Sequence, residues 1–244
     1  MSIRSVLLAG AACAALAGSA EARLQLTINA SGSTFTCFDG QLGCDLSGGA
    51  NNLLLVDQTV GNAFVQIALA QSLFGSTNEL QLSSSNIVNN GLVPVTVTLI
   101  ASDTDFGGPV HAINNSGSLT FNANVGAPAS TLTFWADPAN TQGANPLNTP
   151  GTLLESVSGA AATDPDSFAG SKISTFDALG PYSMTESAAL VLRSGGSITG
   201  FNQAMESVTV PEPSTWAMMG IGAAFLAFVG MRRKNTGAGT TAAA

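Results

Sequence analysis

Apolar and polar residues alternate with a period of two along much of the chain. The alternation is clearest in residues 93–100 and 130–135, and this period is typical of a strand that buries one face. Turn-forming clusters of Gly, Asn, Asp and Pro separate the runs at 89–91, 114–117 and 164–166. The predicted strands are 24–29, 53–57, 63–69, 79–83, 93–101, 118–124, 131–136, 183–193 and 197–206.

Many short strands with few helical patterns predict an all-β fold, and specifically a β-sandwich of two sheets. Two segments are compatible with either a helix or a strand. In residues 62–74, Phe64 and Phe74 fall near one helical face, whereas Val65 and Leu69 fit a strand. Residues 182–192 are also ambiguous, and the Gly pairs that flank them favour a strand.

The N-terminus has the three parts of a secretory signal peptide. Arg4 gives a basic start, residues 6–17 are a short apolar run, and Ala20-Glu21-Ala22 supplies the small residues of a cleavage site. We therefore predict a signal peptide over 1–22, with cleavage after Ala20 as the alternative. An uncleaved anchor is disfavoured because a membrane span needs about 20 apolar residues.

The C-terminus contains three features in a fixed order: a Pro-Glu-Pro sequence, an apolar stretch over 216–231, and a basic cluster. Trp at one edge and basic residues at the other predict a single transmembrane helix whose basic end faces the cytoplasm. Sixteen residues would span about 24 Å, less than a bilayer core of about 30 Å. The basic stop-transfer cluster consists of Arg232, Arg233 and Lys234, and residues 235–244 form a short polar and Ala-rich tail.

This order of features resembles the PEP-CTERM sorting signal of exported proteins from exopolysaccharide-producing bacteria. The resemblance covers about thirty residues, 208–234, and implies that an exosortase-type enzyme in the membrane recognises the motif. The predicted sorting and processing residues are Val210, Pro211, Glu212 and Pro213. Two prolines also keep a segment extended and out of helix or sheet, which suits a processing site. A plain permanent anchor is the alternative interpretation.

The intervening outer domain, residues 23–207, is poor in charge and strongly acidic. Charged residues make up 9% of the chain, against about 25% in typical soluble proteins. Without the signal peptide and the basic cluster, three basic and fourteen acidic residues remain, a net charge of −11. Such a surface repels phosphate backbones, so no nucleic-acid partner is expected.

Cysteine usage predicts one disulfide. Cys13 would leave with the signal peptide, so Cys37 and Cys44 are the remaining pair. In an oxidising exported compartment such a pair forms a disulfide. A metal site is disfavoured, because no further Cys or His lies nearby in the sequence.

The sequence contains few residue patterns that are typical of a catalytic site. His111 is the single histidine and is predicted to lie in a loop after Gly107-Gly-Pro. The sequence has neither Gly-x-Ser-x-Gly nor His-Glu-x-x-His. The glutamates of the outer segment have no recognisable catalytic context, although glycoside hydrolysis needs only two carboxylates. We therefore expect a protein that is not an enzyme and needs no cofactor.

Two further residue groups carry weaker hypotheses. Asp103-Thr-Asp105 and Asp164-Pro-Asp166 offer oxygen ligands for calcium, but turn formation is favoured and no metal site is expected. Trp135 and Tyr182 are candidates for stacking on sugar rings, although packing in the core or at an edge is favoured for both. Because Trp135 alternates with Phe134 in a strand, one of the two must face outward.

Taken together, these patterns predict a non-catalytic protein of the cell surface or extracellular matrix. It would be tethered to the inner membrane by its tail, with the outer domain outside the cytoplasm, or released to the outer surface or matrix. The resemblance implies association with exopolysaccharide and processing by an exosortase. The alternative is a carbohydrate-binding module of the same surface layer.

Overall fold

The computed structural model of the protein describes residues 23–48, 51–144, 147–208 and 218–226. The chain divides into two units, Met1–Val208 and Thr209–Ala244. The predicted signal peptide, the Pro-Glu-Pro motif and the basic cluster lie outside the described residues.

The first unit is built from antiparallel strands, twelve of them in the described part of the chain. They are β1 (Gln25–Ala30), β2 (Ser33–Phe38), β3 (Leu53–Val60), β4 (Ala63–Leu73), β5 (Glu79–Asn89), β6 (Val95–Phe106), β7 (Val110–Asn122), β8 (Ser130–Asp137), β9 (Thr152–Gly159), β10 (Asp166–Ala178), β11 (Tyr182–Leu192) and β12 (Ser197–Val208).

These strands form two six-stranded sheets. Sheet A has the order β2-β1-β6-β11-β8-β9, and sheet B has the order β10-β7-β12-β5-β4-β3. The last two strands of the unit therefore occupy interior positions, with β11 between β6 and β8 and β12 between β7 and β5. The architecture confirms the predicted all-β, sandwich-like fold.

The period-two pattern explains why the two sheets pack together. Along each strand alternate side chains point to one face, and the apolar ones lie between the sheets. Leu99 and Phe134 of sheet A and Leu82 and Phe121 of sheet B are all at most 1% exposed. Each such side chain stabilises the fold by about 1.5–3 kcal/mol relative to leaving it in water.

All nine predicted strands are present, with ends that differ by up to eight residues, the largest difference being at the start of β7. Residues 62–74, which fit helix or strand, belong mainly to β4, and residues 182–192 form β11. Three strands of the structure, β2, β9 and β10, were not predicted. The turn predicted at 114–117 is wrong, because these residues lie inside β7.

The connection between β8 and β9 lies over the outer face of sheet A. We call residues 138–151 the strap; residues 145 and 146 are outside the described part. Gly143 donates its amide to Ser102 Oγ at 2.9 Å, and the Gln25 amide donates to Ala144 O at 2.9 Å. A β-carbon added at Gly143 would lie 2.5 Å from Thr185 Oγ1, so the strap packs closely onto the sheet.

In the second unit, residues 218–226 form an α-helix. The large side chains of this helix are apolar and exposed: Met218, Met219, Ile221, Phe225 and Leu226. The predicted membrane segment, 216–231, extends beyond this helix on both sides, into residues outside the described ranges. Within the described residues, no helix has the length and apolar character needed to cross a membrane.

Candidate functional site

The predicted disulfide is confirmed. Cys37, at the end of edge strand β2, is bonded to Cys44 in the following loop, with 5.9 Å between their Cα atoms. Cys37 is fully buried and belongs to the hydrophobic core, so the bond ties the loop to the sandwich. On the chain-entropy model a short loop of this kind contributes about 2–3 kcal/mol to stability.

The two candidate aromatic residues have different environments. Tyr182 is fully buried, packs against Phe106 and Phe176, and accepts a hydrogen bond from Asn78 at 3.3 Å. It therefore packs in the core and is not available to stack on a sugar. Trp135 points away from the core on the outer face of sheet A and is partly exposed, whereas its neighbour Phe134 is buried.

The two aspartate motifs also differ. Asp103 and Asp105 lie in β6, so the turn predicted for them is wrong. Asp166 does cap the turn before β10, because it accepts from the Ala162 amide at 2.7 Å. Asp164 lies in the same turn but accepts from the Ala123 amide at 2.7 Å, in the connection between β7 and β8. Within the described ranges, no group of three or more His, Cys, Asp or Glu side chains is arranged to hold a metal ion.

His111 was predicted to lie in a loop, and this is wrong because it is the second residue of β7. Its Nδ1 is 2.6 Å from a carboxylate oxygen of Asp177 in β10, and both side chains are largely exposed. A histidine with an aspartate partner supplies two of the three members of a catalytic triad. Here the pair joins two neighbouring strands on the outer surface of sheet B and can stabilise their pairing.

A shallow groove crosses the outer face of sheet B. Its volume is about 580 Å³, and it crosses β10, β7, β12 and β5. The side chains that line it are small or neutral and polar, and they include Gln81, Ser116, Ser118, Ser171, Asn202 and Ala204. Asn202 is the register partner of Ser118, and Ala204 is the register partner of both Ser116 and Gln81.

The groove was not predicted from the sequence. Its signal is the period-two recurrence of small residues in Ser116-Gly-Ser118 and Ala169-Gly-Ser171. The first two residues of the first run were assigned to a predicted turn and Ser118 to the strand after it, and the second run lies in a strand that was not predicted. At one end of the groove Glu79 and Glu206 are direct register partners, so a negatively charged ligand would be repelled there.

Two carboxyl groups lie in the interior between the sheets. Glu186 of β11 is 0% exposed, and neither carboxyl oxygen has a hydrogen-bond partner among the described residues. Burial, together with the charge of Glu79, raises the pKa of Glu186 well above its ordinary value. Burial also raises the pKa of Asp103 to about 6, although hydrogen bonds from Ser72 and the Thr104 amide favour its ionised form.

The C-terminal segment is the part of the chain that matches a known family. Residues 209–234 match the PEP-CTERM protein-sorting motif. The chain carries a PEP-CTERM sorting motif. The match covers Val210, Pro211, Glu212 and Pro213 as well as the basic cluster, none of which lies in the described residues. A PEP-CTERM motif indicates an exported, membrane-associated protein of the cell surface that an exosortase sorts.

Similarity to known proteins outside the PEP-CTERM motif is weak. No curated protein matches the chain in sequence. An isomalto-dextranase of Arthrobacter globiformis T6, complexed with panose, is similar over 55% of this chain and 24% of its own, with 15% identity and a TM-score of 0.24. The structure of infectious bursal disease virus, Gx strain, is similar over 79% of this chain and 56% of its own, with 13% identity and a TM-score of 0.31. TM-scores this low support no argument about fold or function.

Proposed function

We propose that the protein is a non-catalytic component of the cell surface, exported through its signal peptide and sorted through its PEP-CTERM tail together with exopolysaccharide. The match at residues 209–234 is the observation that carries the proposal. An exosortase-type enzyme is the proposed processing partner, and a helix over 216–231 would hold the chain in the membrane until processing.

A non-catalytic role is supported by the positions of the glutamates in the first unit. Glu186 is buried in the core, and Glu155 forms an ion pair with Lys172 at 3.0 Å. Glu79 accepts a hydrogen bond from Gln81, and Glu206 is exposed on the outer face of sheet B. Glycoside hydrolysis needs two carboxyl groups that flank one bond of the substrate, and of these four glutamates only Glu79 and Glu206 lie side by side, on an open face.

Sorting is tested by the intact mass of the protein recovered from the cell envelope and from the culture medium. We expect a released form that begins at Arg23 and ends between Pro211 and Thr215. The matched control is Glu212→Gln, which preserves the side-chain shape and removes the charge of the motif, and we expect it to remain full length in the envelope. A wild-type protein that retains residues 216–244 in every fraction would contradict processing.

A second candidate function is binding of a neutral glycan, and the groove on sheet B is the observation that favours it. Hydroxyl and amide groups of Ser116, Ser118, Ser171 and Asn202 line the groove and can hydrogen-bond to sugar hydroxyls. The net charge of −11 outside the signal and basic cluster, and the pair Glu79–Glu206, disfavour anionic polysaccharides. Trp135 lies on the other sheet and takes no part in this hypothesis.

Binding is measured as depletion of the purified protein by an insoluble neutral glucan, with alginate as the anionic comparison. Ala204→Trp would fill the groove, and we expect it to weaken binding at least about tenfold, or about 1.4 kcal/mol. Thr131→Trp places the same bulk on the outer face of sheet A and should bind like the wild type. If Ala204→Trp and Thr131→Trp both bind as tightly as the wild type, the groove is not the binding site. Loss of binding on Trp135→Ala alone would assign the site to sheet A.

A further inference from the structure

A polar cluster lies at the edge of the sandwich where β10 of sheet B approaches β9 of sheet A. Lys172 of β10 is one of only two lysines in the sequence, the other being Lys234 in the tail. Its register partner on β7 is Asn115. Register partners project from the same face of a sheet with their Cβ atoms about 4.5–5.5 Å apart, so the two side chains are within reach of each other.

The carboxamide of Asn115 is held in a fixed position with one group unused. Its side chain is 0% exposed, and Nδ2 donates to Ser174 Oγ at 3.1 Å and to the Lys172 carbonyl at 3.3 Å. Its Oδ1 is also buried but has no hydrogen-bond partner in the part of the chain that the structure describes. A buried polar oxygen without a partner is uncommon and calls for an explanation.

A carboxylate completes the cluster. Glu155 Oε2 of β9 lies 3.0 Å from Lys172 Nζ, and the glutamate side chain is only 16% exposed. Ser174 Oγ donates to the Leu154 carbonyl at 2.9 Å, so the hydrogen bonds that fix Asn115 also reach the strand that carries Glu155. An amine, a carboxamide and a general base therefore occupy one small region.

We propose that Lys172 and Asn115 condense to form an isopeptide bond that joins β10 to β7. Glu155 accepts a proton from the Lys172 ammonium, and the Nζ lone pair attacks Cγ of Asn115. The bond from Cγ to Nδ2 then breaks as Glu155 returns the proton to the leaving nitrogen. One of the three Nζ protons stays on the new amide, and the other two leave with the nitrogen as ammonium, so the reaction needs no oxidant or other reagent.

The folded structure provides two conditions for this reaction that an unfolded chain does not: proximity of the reacting groups and a neighbouring base. Fixing two reacting groups side by side turns a bimolecular step into an intramolecular one, and a neighbouring base activates a lysine nucleophile. The lysine side chain is 59% exposed where it contacts Glu155. Rotation about its flexible stem carries Nζ from this edge to the carboxamide, because both side chains lie on the same face of sheet B.

The test is the intact mass of the full-length protein purified from the cell envelope, followed by digestion before each aspartate. The linked protein is lighter than its disulfide-bonded sequence by one ammonia. Digestion should then yield one branched peptide in which residues 105–136 are joined to residues 166–176 through Asn115 and Lys172. A wild-type protein that shows the full calculated mass overturns the proposal.

Two variants separate the proposed bond from other losses of ammonia. Lys172→Arg keeps a cation beside Glu155 but supplies no lysine amine, so it should show the full mass and no branched peptide. Ammonia loss that persists in Lys172→Arg would indicate a cyclic imide at an asparagine and would overturn the proposal. Glu155→Gln removes the base, and we expect most of the linked species to be lost, because general acid–base catalysis contributes about 10²–10⁴-fold.

Discussion

At the residue scale, Glu186 is the group whose burial has the clearest thermodynamic consequence. Its folded-state pKa is raised while the unfolded chain titrates near the ordinary value of 4.5. Above that value the unfolded state loses the proton and the folded state keeps it, so the free energy of unfolding falls as the pH rises. Asp103 acts in the same direction between 3.8 and about 6.

We predict that the wild-type protein loses stability as the pH rises above about 5, as measured by urea denaturation with tryptophan fluorescence. Asp45, Asp137 and Asp166 have pKa values held below normal by hydrogen bonds, so they act at lower pH and do not mask the effect. Glu186→Met should raise the free energy of unfolding at pH 7 by about 1–3 kcal/mol, because it removes an unpartnered buried polar group.

The matched control for this prediction is Glu186→Gln, which keeps the size and polarity of the side chain but cannot titrate. It should reduce the loss of stability with rising pH, and the loss that remains should follow the titration of Asp103. If the glutamine variant has the same pH dependence as the wild type, Glu186 is not the group that titrates.

At the element scale, the strap depends on the absence of a side chain at one position. A methyl group at Gly143 would collide with Thr185 and crowd Ser102, which are both buried beneath the strap. We predict that Gly143→Ala lowers the free energy of unfolding by about 1–3 kcal/mol, as for other overpacked sites. Urea denaturation measures the loss, and faster amide exchange of residues 141–144 would locate it in the strap.

Gly180→Ala is the appropriate comparison. A β-carbon at Gly180 would meet no atom within 4 Å, and the backbone there does not lie in the left-handed region. We expect a change within about 0.5 kcal/mol, as for ordinary surface substitutions. Equal destabilisation by both alanines would show that the packing of the strap is not responsible.

The three strands that were not predicted have weak sequence patterns because of their position in the sheets. The strands β2, β9 and β10 all lie at sheet edges, where one side of the ladder is unpaired and more side chains meet solvent. Their apolar alternation is correspondingly weak, and β10 contains Gly170 in contact range of Val157 across the sandwich. Interior strands such as β6 and β8 bury one face, so their period-two patterns are strong enough to predict them from the sequence.

The wrong turn at 114–117 has a tertiary cause. Asn and Gly favour turns on local grounds, but in β7 the inward-facing Gly117 leaves room for Leu132 of the opposite sheet. Asn115 is accommodated through hydrogen bonds to β10. Neither contact can be inferred from neighbouring residues, since both depend on strands that are distant in sequence.

At the scale of the whole molecule, the sequence was most informative at the C-terminus. The order of Pro-Glu-Pro, apolar stretch and basic residues is local and linear, so the family match at 209–234 confirms it directly. The groove and the Lys172–Asn115 pair instead arise from register between strands that are remote in sequence. Local sequence patterns therefore predicted the sorting signal well. They did not predict which residues from distant strands lie together in the folded protein.

The strand order has a consequence for the timing of folding during export. A chain that leaves a channel N-terminus first presents β1 to β10 before either β11 or β12 has emerged. Sheet A would then have a gap between β6 and β8, and sheet B a gap between β7 and β5. The last two strands close these gaps, β11 in sheet A and β12 in sheet B, so the sandwich cannot be completed until the residues immediately before the sorting motif are outside.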